Sequence, residues 1–157
     1  MTITQQKWPI VLIDPHRLRR HEEHDAAHAC ALHDAILAAG VWTTPIIVEW
    51  EDLIVMDGHH RLSVACAAGL SQVPCLMADY QSVRVESRRA EFVVTPNDIR
   101  QRARTGLLYP PKTTRHHIPS EWNSCCAVEL AALRKITAPN CAWAHSLLPN
   151  PEDRCAV

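Results

Sequence analysis

Surplus charge of either sign is missing from this chain. Sixteen lysines and arginines stand against seventeen aspartates and glutamates, a formal net charge of −1. That balance argues against nucleic acid or an anionic membrane as a broadly electrostatic partner and leaves room only for a local basic pocket. Long apolar runs are missing too: none approaches the roughly 18–20 residues that span a bilayer. The stretch from Met1 to Lys7 has no basic segment followed by an apolar core, so no secretory signal is read and a cytoplasmic location is expected. There are seven cysteines but no C-x-x-C pair, and an odd number cannot close into a full disulfide set. Reduced thiols are expected, with Cys30, Cys66 and Cys75 acting as small hydrophobes inside helices or strands. Internal repeats are absent, and nothing in the sequence fixes an oligomeric state.

What is present is ordinary for a globular domain. Of 157 residues, 47% are hydrophobic, enough for one domain with a core and too few residues for two comfortable ones. Residues 8–13 read as a first strand, stopped by Asp14 and Pro15. Residues 24–39 are alanine-rich, with Ala29, Leu32, Ile36 and Ala39 at helical spacing, and Gly40 is the stop. Strands are expected over 45–49 and 53–56, joined by an acidic link that suggests a hairpin. A short helix over 61–68 ends at Gly69, and a strand follows over 73–78. Two short strands, 82–86 and 91–94, precede a well-signalled helix: Thr95 as cap, Pro96 in the first turn, Asp98 three residues after the cap, and Gly106 as the close. A last helix is expected over 121–135, and an irregular tail beyond Thr137.

The chemistry concentrates where the strand ending near Met56 turns into a helix. Asp57-Gly58-His59-His60-Arg61 combines a glycine that lets backbone approach a ligand with the unpaired amides of a helix start. The two histidines and the arginine add donors and positive charge around an anion. Asp57 is placed to hold a magnesium ion or orient a hydroxyl. From composition alone, a tight turn with a hydrogen-bonded histidine pair is an equal alternative.

This motif continues through Leu62 and Ala65 to Gly69-Leu70 and Val73-Pro74-Cys75, and it resembles the phosphate motif of the ParB/sulfiredoxin fold. The resemblance implies an α+β fold, a small mixed sheet packed with helices, in one compact domain over residues 1–119, followed by a C-terminal helix and irregular tail over 120–157. Sulfiredoxins carry a catalytic cysteine directly before the His-Arg of the motif, where this chain has His59, so the nucleophile is gone. ParB partition proteins add a helix-turn-helix and a dimerisation region, for which this chain has neither the length nor the basic charge.

Two further segments resemble the free L-serine kinases of this superfamily. One is Leu18-Arg19-Arg20-His21-Glu22-Glu23, which lies before Gly40 and Pro45-Ile46 at the distance of the His-Glu pair that supplies the catalytic glutamate in those kinases. The match maps the base onto Glu22, with Glu23 as fallback. The other runs from Gly106 to His116 and is similar to their Pro-x-Lys-Thr-Thr-Arg-His substrate signature. By resemblance, then, Glu22 and Asp57 are catalytic. Gly58, His59, His60 and Arg61 bind the nucleotide phosphates, Lys112, Thr113, Thr114, Arg115 and His116 bind the amino acid, and Asp57 holds Mg2+. The implied reaction phosphorylates the hydroxyl of a free amino acid, L-serine first, from ATP or ADP. One departure bears on substrate: Ser87-Arg88 stands where these kinases often carry Trp-Arg, which keeps threonine and other small hydroxyl compounds open. A nucleotide-sensing regulator without turnover and a ParB-like DNA-binding module are the rival readings.

Overall fold

A computed structural model describes residues 10–122 and 125–134. In chain order its elements are β1 (Ile10–Ile13), a 3-10 turn (Pro15–Arg17), α1 (Ala26–Ala39), β2 (Val41–Trp42), β3 (Ile46–Glu49), β4 (Ile54–Asp57) and α2 (His59–Ala67). After these come β5 (Val73–Ala78), β6 (Arg84–Ser87), α3 (Pro96–Thr105), β7 (Thr114–His117), a 3-10 turn (Ser120–Trp122), β8 (Val128–Glu129) and α4 (Leu130–Leu133). The main sheet has the order β1-β5-β3-β4, with β3 and β5 parallel and the other two pairings antiparallel. It is mixed, as expected, and the fold class is α+β.

Strand pleating places alternate residues of this sheet in separate cores. Ile46, Val48 and Val55 join Trp42, Leu62 and Val64 in one, while Ile47, Met56 and Leu76 join Val83 in another. Both faces of β3 are therefore covered, and even Glu49 is buried. Its carboxylate is satisfied by the amides of Glu51 and Asp52, at 3.1 and 2.8 Å, which close the acidic hairpin between β3 and β4.

Helix ends follow their local signals. Asp25 caps α1 by accepting from the His28 amide at 3.0 Å, and Gly40 closes the helix at φ +69°. α3 has the expected capping box, with Thr95 and Asp98 bonded reciprocally.

Three expectations change. Residues 91–94 form no strand; Phe92 and Val94 pack beside Tyr109, Ile54 and Ile99 instead. The polar stretch Thr114–His117 is a strand because β6 offers it a ladder. The single helix over 121–135 is replaced by a 3-10 turn, β8 and α4, since Val128 and Glu129 pair with β2. Leu130 and Leu133 then enter the first core. Trp8 and Pro9 of the first expected strand, Cys141, Cys155, and the tail beyond Thr137 lie outside the described residues. Among the described residues no helix is long and apolar enough to cross a membrane.

Candidate functional site

β4 hands over to α2 at Gly58, whose φ of +113° suits glycine alone. A Cβ there would lie 3.2 Å from the Arg61 guanidinium and 3.3 Å from Ile46 Cγ1. The first helical hydrogen bond runs from the Leu62 amide to the Gly58 carbonyl at 2.8 Å. The amides of His59, His60 and Arg61 precede it and have no acceptor within the helix, so they form a donor cluster where the helix dipole is positive. Arg61 braces the turn: it donates to the carbonyls of Thr44 and Pro45 and pairs with Asp57 Oδ2 at 3.1 Å.

The two histidines diverge. His60 Nε2 accepts from the Asp25 amide at 3.1 Å and its ring sits 4.4 Å from that of His28, tying α2 to the start of α1. Burial, then His28 and His24, lower its pKa. His59 turns inward, and neither ring nitrogen has a hydrogen-bond partner. Burial first, and the neighbouring His21 next, push its pKa well below the usual imidazole value.

The second half of the site is an extended strap, residues 19–23. Arg19 bridges β4 through bonds to Leu53 and Val55, and the His21 carbonyl and Glu23 amide clasp Tyr109. Arg20 crosses to α2, donating to the His59 carbonyl at 3.0 Å and Ser63 Oγ at 2.8 Å. The strap thereby buries His21 and Glu22 between β4 and β7. Glu22 Oε1 accepts from the amides of Thr113 and Thr114, at 2.8 and 2.7 Å, and from Thr114 Oγ1 at 3.1 Å. All three bonds fall on one oxygen, so Oε2 is left without a protein partner among the described residues. His21 lies edge-on to His59 at 4.6 Å and to His116 at 5.5 Å, and burial lowers its pKa to about 4.

β7 divides the substrate signature by its pleat. Thr114 and His116 face the strap: His21 Nε2 meets Thr114 Oγ1 at 3.0 Å, and His116 Nε2 meets the Tyr80 hydroxyl at 3.1 Å. Burial, with His21 and His117 beside it, lowers His116 to about 3. Arg115 is exposed on the other face, opposite Glu86 in the β6–β7 ladder. Lys112 is also exposed and sits at φ +59° in the turn, which Thr113 locks by donating to the Pro110 carbonyl at 2.7 Å. Ser87 lies directly opposite Thr114, with its hydroxyl occupied by the backbone of Arg89.

The structure thus brings together Glu22, His59, Thr113, Thr114 and His116. It sets Lys112 and Arg115 apart and directs His60 to α1. Sequence reasoning passed over His21, Arg20 and Tyr80; the only written signal was the place of His21 beside Glu22. A cavity of about 270 Å³ opens beside Asp57 and Arg61, lined by Ile47, Leu76, Ile118 and Trp122. No group of three or more histidines, cysteines or carboxylates able to hold a metal occurs among the described residues. A half-exposed single carboxylate, Asp57, nonetheless fits Mg2+ that is shared with nucleotide phosphates, because such ions take one or two carboxylates and complete their shell with phosphate and water.

No family model matches the sequence. The chain is 32% identical over 98 residues to a ParB-like protein of Sulfolobus acidocaldarius, covering 62% of this chain and 46% of that protein. To an ATP-dependent L-serine kinase of Desulfurococcus mucosus it is 34% identical over 80 residues, covering 48% of this chain and 31% of the relative. The chain therefore spans less than half the length of these curated relatives. Among solved structures it superposes on a free serine kinase in complex with AMP with a TM-score of 0.71 at 16% identity, covering 85% of this chain and 97% of that one. SbnI with a C-terminal truncation, from Staphylococcus aureus, gives 0.72 at 14% identity, with 88% and 93% covered. The chain carries the ParB/sulfiredoxin-like α+β fold of the free serine kinase and SbnI, and its sequence is similar to ATP-dependent L-serine kinases.

Proposed function

We propose that this chain is a kinase that moves a phosphoryl group from ATP or ADP to the hydroxyl of a free amino acid. L-serine, giving O-phospho-L-serine, is the first acceptor, and L-threonine or another small hydroxyl compound the alternative. One observation carries the reading. A glutamate is buried beside the helix-start anion site, with one oxygen held by three donors and the other open. A base needs one oxygen free of the protein's own donors to receive the acceptor proton, and Oε2 is that oxygen.

Phosphoryl transfer asks mainly for positioning and charge neutralisation. The amides after Gly58 and the charge of Arg61 hold the phosphates, with His59 and His60 shaping the helix start. The cavity next to Asp57 takes the nucleoside. Asp57 would hold Mg2+, which would supply neutralisation of the phosphate charge. The acceptor lies along Thr113, Thr114 and His116, on the face of β7 and its turn that meets Glu22, with Lys112 and Arg115 on the exposed side. Its hydroxyl proton passes to Glu22, its oxygen bonds to the terminal phosphorus, and the bond from that phosphorus to the nucleotide breaks. Solved structures of the same fold include a free serine kinase in complex with AMP and variants of it, with one glutamate replaced, in complex with AMP or ADP, which supports reading the helix-start turn as a nucleotide site. The kinase domain of this proposal covers residues 1–119, and the described residues that follow it, 120–122 and 125–134, include Leu130 and Leu133 packed in its core.

The test is incubation of the protein with ATP or ADP, magnesium and a panel of amino acids, read by mass spectrometry. Tight nucleotide binding without any phosphorylated amino acid would refute the kinase and favour a nucleotide-sensing regulator. Glu22→Gln should cut turnover by a factor of about 10² or more while sparing nucleotide affinity. Full activity in that variant would move the role to Glu23.

A further inference from the structure

Burying an imidazole is costly, and the position of His21 makes that cost conspicuous. The residue is 0% exposed, and burial alone keeps the ring neutral down to about pH 4. A leucine or phenylalanine would fill the space without that penalty. His59 and His116 contribute ring edges to its surroundings, and its Nδ1 lies near the Val55 carbonyl without reaching full hydrogen-bond geometry. Among the described residues, the one polar side-chain contact of the ring is Nε2 to Thr114 Oγ1, at 3.0 Å. That hydroxyl is also the third group on Glu22 Oε1, at 3.1 Å.

We propose that His21 is the positioning residue of the base: it fixes the Thr114 hydroxyl, and through it the orientation and basicity of Glu22. The proposal rests on the kinase reading of Glu22. A hydroxyl has one proton, and Thr114 stands between a carboxylate and an imidazole that both compete for it. When the neutral ring carries its proton on Nε2, Thr114 accepts from His21 and donates to Glu22, which then has three donors. When the proton is on Nδ1, Thr114 donates to the ring and Glu22 keeps only the two amides. The His21 tautomer therefore decides how many hydrogen bonds the base must loosen when it takes the acceptor proton. The backbone around the ring is locked on both sides, by the Tyr109 amide to the His21 carbonyl at 2.9 Å and the Glu23 amide to the Tyr109 carbonyl at 2.8 Å. A ring held this firmly selects one geometry for Thr114, and a β-branched side chain at the start of β7 has few rotamers with which to escape it.

Kinetics and NMR on the full chain test this together. His21→Leu should lower kcat by about 10–100-fold with little change in KM for nucleotide, and His21→Gln, which keeps a polar atom near Nε2, should recover most of that loss. Thr114→Val should slow the reaction as well, and the double variant should be about as slow as the slower single variant, because both act through one hydroxyl. In histidine labelled with 15N, the His21 Nε2 signal should move in Thr114→Val, and the Glu22 carboxyl 13C signal should move in His21→Gln. Wild-type kcat in His21→Leu, strictly multiplicative losses in the double variant, or ring and carboxyl signals unmoved by these substitutions would overturn the proposal. If the leucine variant does not fold, the glutamine variant and the NMR signals decide. Absence of turnover by the wild-type chain with every acceptor refutes the kinase reading instead, and the NMR arm still reports whether His21 governs Thr114 and Glu22.

Discussion

Mild acid should unfold this protein well before its carboxylates titrate. His21, His59 and His116 are neutral in the folded chain, with pKa values lowered to about 4, well below normal and to about 3, chiefly by burial. In the unfolded chain each returns to about 6.5. Below that value the unfolded state binds the extra protons, so the contribution is complete above about pH 6.5 and is lost as the pH falls toward the folded values. At pH 5 each imidazole costs about 2 kcal/mol, from 1.36 kcal/mol per unit over about 1.5 units. Three together cost about 6 kcal/mol, comparable to the 5–15 kcal/mol that holds a typical domain together. His24 and His60, lowered more modestly and partly exposed, act in the same direction. Asp25, whose pKa is lowered by its bond to the His28 amide, loses its contribution only in stronger acid, so the window from pH 6.5 to 5 isolates the histidines. Urea unfolding followed by tryptophan fluorescence at pH 7, 6 and 5 should show a falling midpoint at constant m. His116→Gln should flatten the dependence by about 1.4 kcal/mol per pH unit. A midpoint at pH 5 equal to that at pH 7 would refute the buried, neutral triad.

Gly58→Ala forces a side chain into a left-handed turn and against Arg61 and Ile46, so a loss of about 1–3 kcal/mol in urea unfolding and weaker nucleotide binding by calorimetry are expected. Leu133→Ala empties a fully buried site and should cost about 2–5 kcal/mol; a loss under 1 kcal/mol would show that α4 does not dock on the core. Arg115→Ala should leave the acceptor KM unchanged, because Arg115 lies on the exposed face of β7, away from Glu22. A raised KM with kcat unchanged would assign the acceptor carboxylate to Arg115 instead of to Thr114 and His116, the residues on the inner face of β7.

Legibility followed how local each signal was. The α3 cap, the acidic hairpin and the β4–Gly58–α2 turn are written within a few neighbouring residues, and each formed close to where its sequence placed it. β7 was invisible because Thr-Arg-His-His has neither alternation nor strong strand propensity; its ladder comes from β6, about thirty residues earlier in the chain. Val93 shows the converse, since residues 91–94 carry strand-forming side chains but no partner strand, and Val93 is left 81% exposed.

The same distinction explains the site. The anion turn is a contiguous motif, whereas the base is assembled from a strap and a strand about ninety residues apart, so only a family resemblance pointed to Glu22 from the sequence. No sequence pattern says which of Thr114, Arg115 and His116 points inward, because that depends on strand register, and a one-residue slip would exchange Arg115 for its neighbours. The register is fixed by Ser87 opposite Thr114 and by the two amides that β7 and its turn give to Glu22. Glu22 is thus both the candidate base and the pin that sets which residues of the signature face it. Its replacement therefore tests two things at once. Glu22→Gln preserves the acceptor oxygen for both amides, while Glu22→Ala removes it. A glutamine variant that keeps wild-type stability but not turnover, beside an alanine variant that loses both, is the pattern a register-setting base must give.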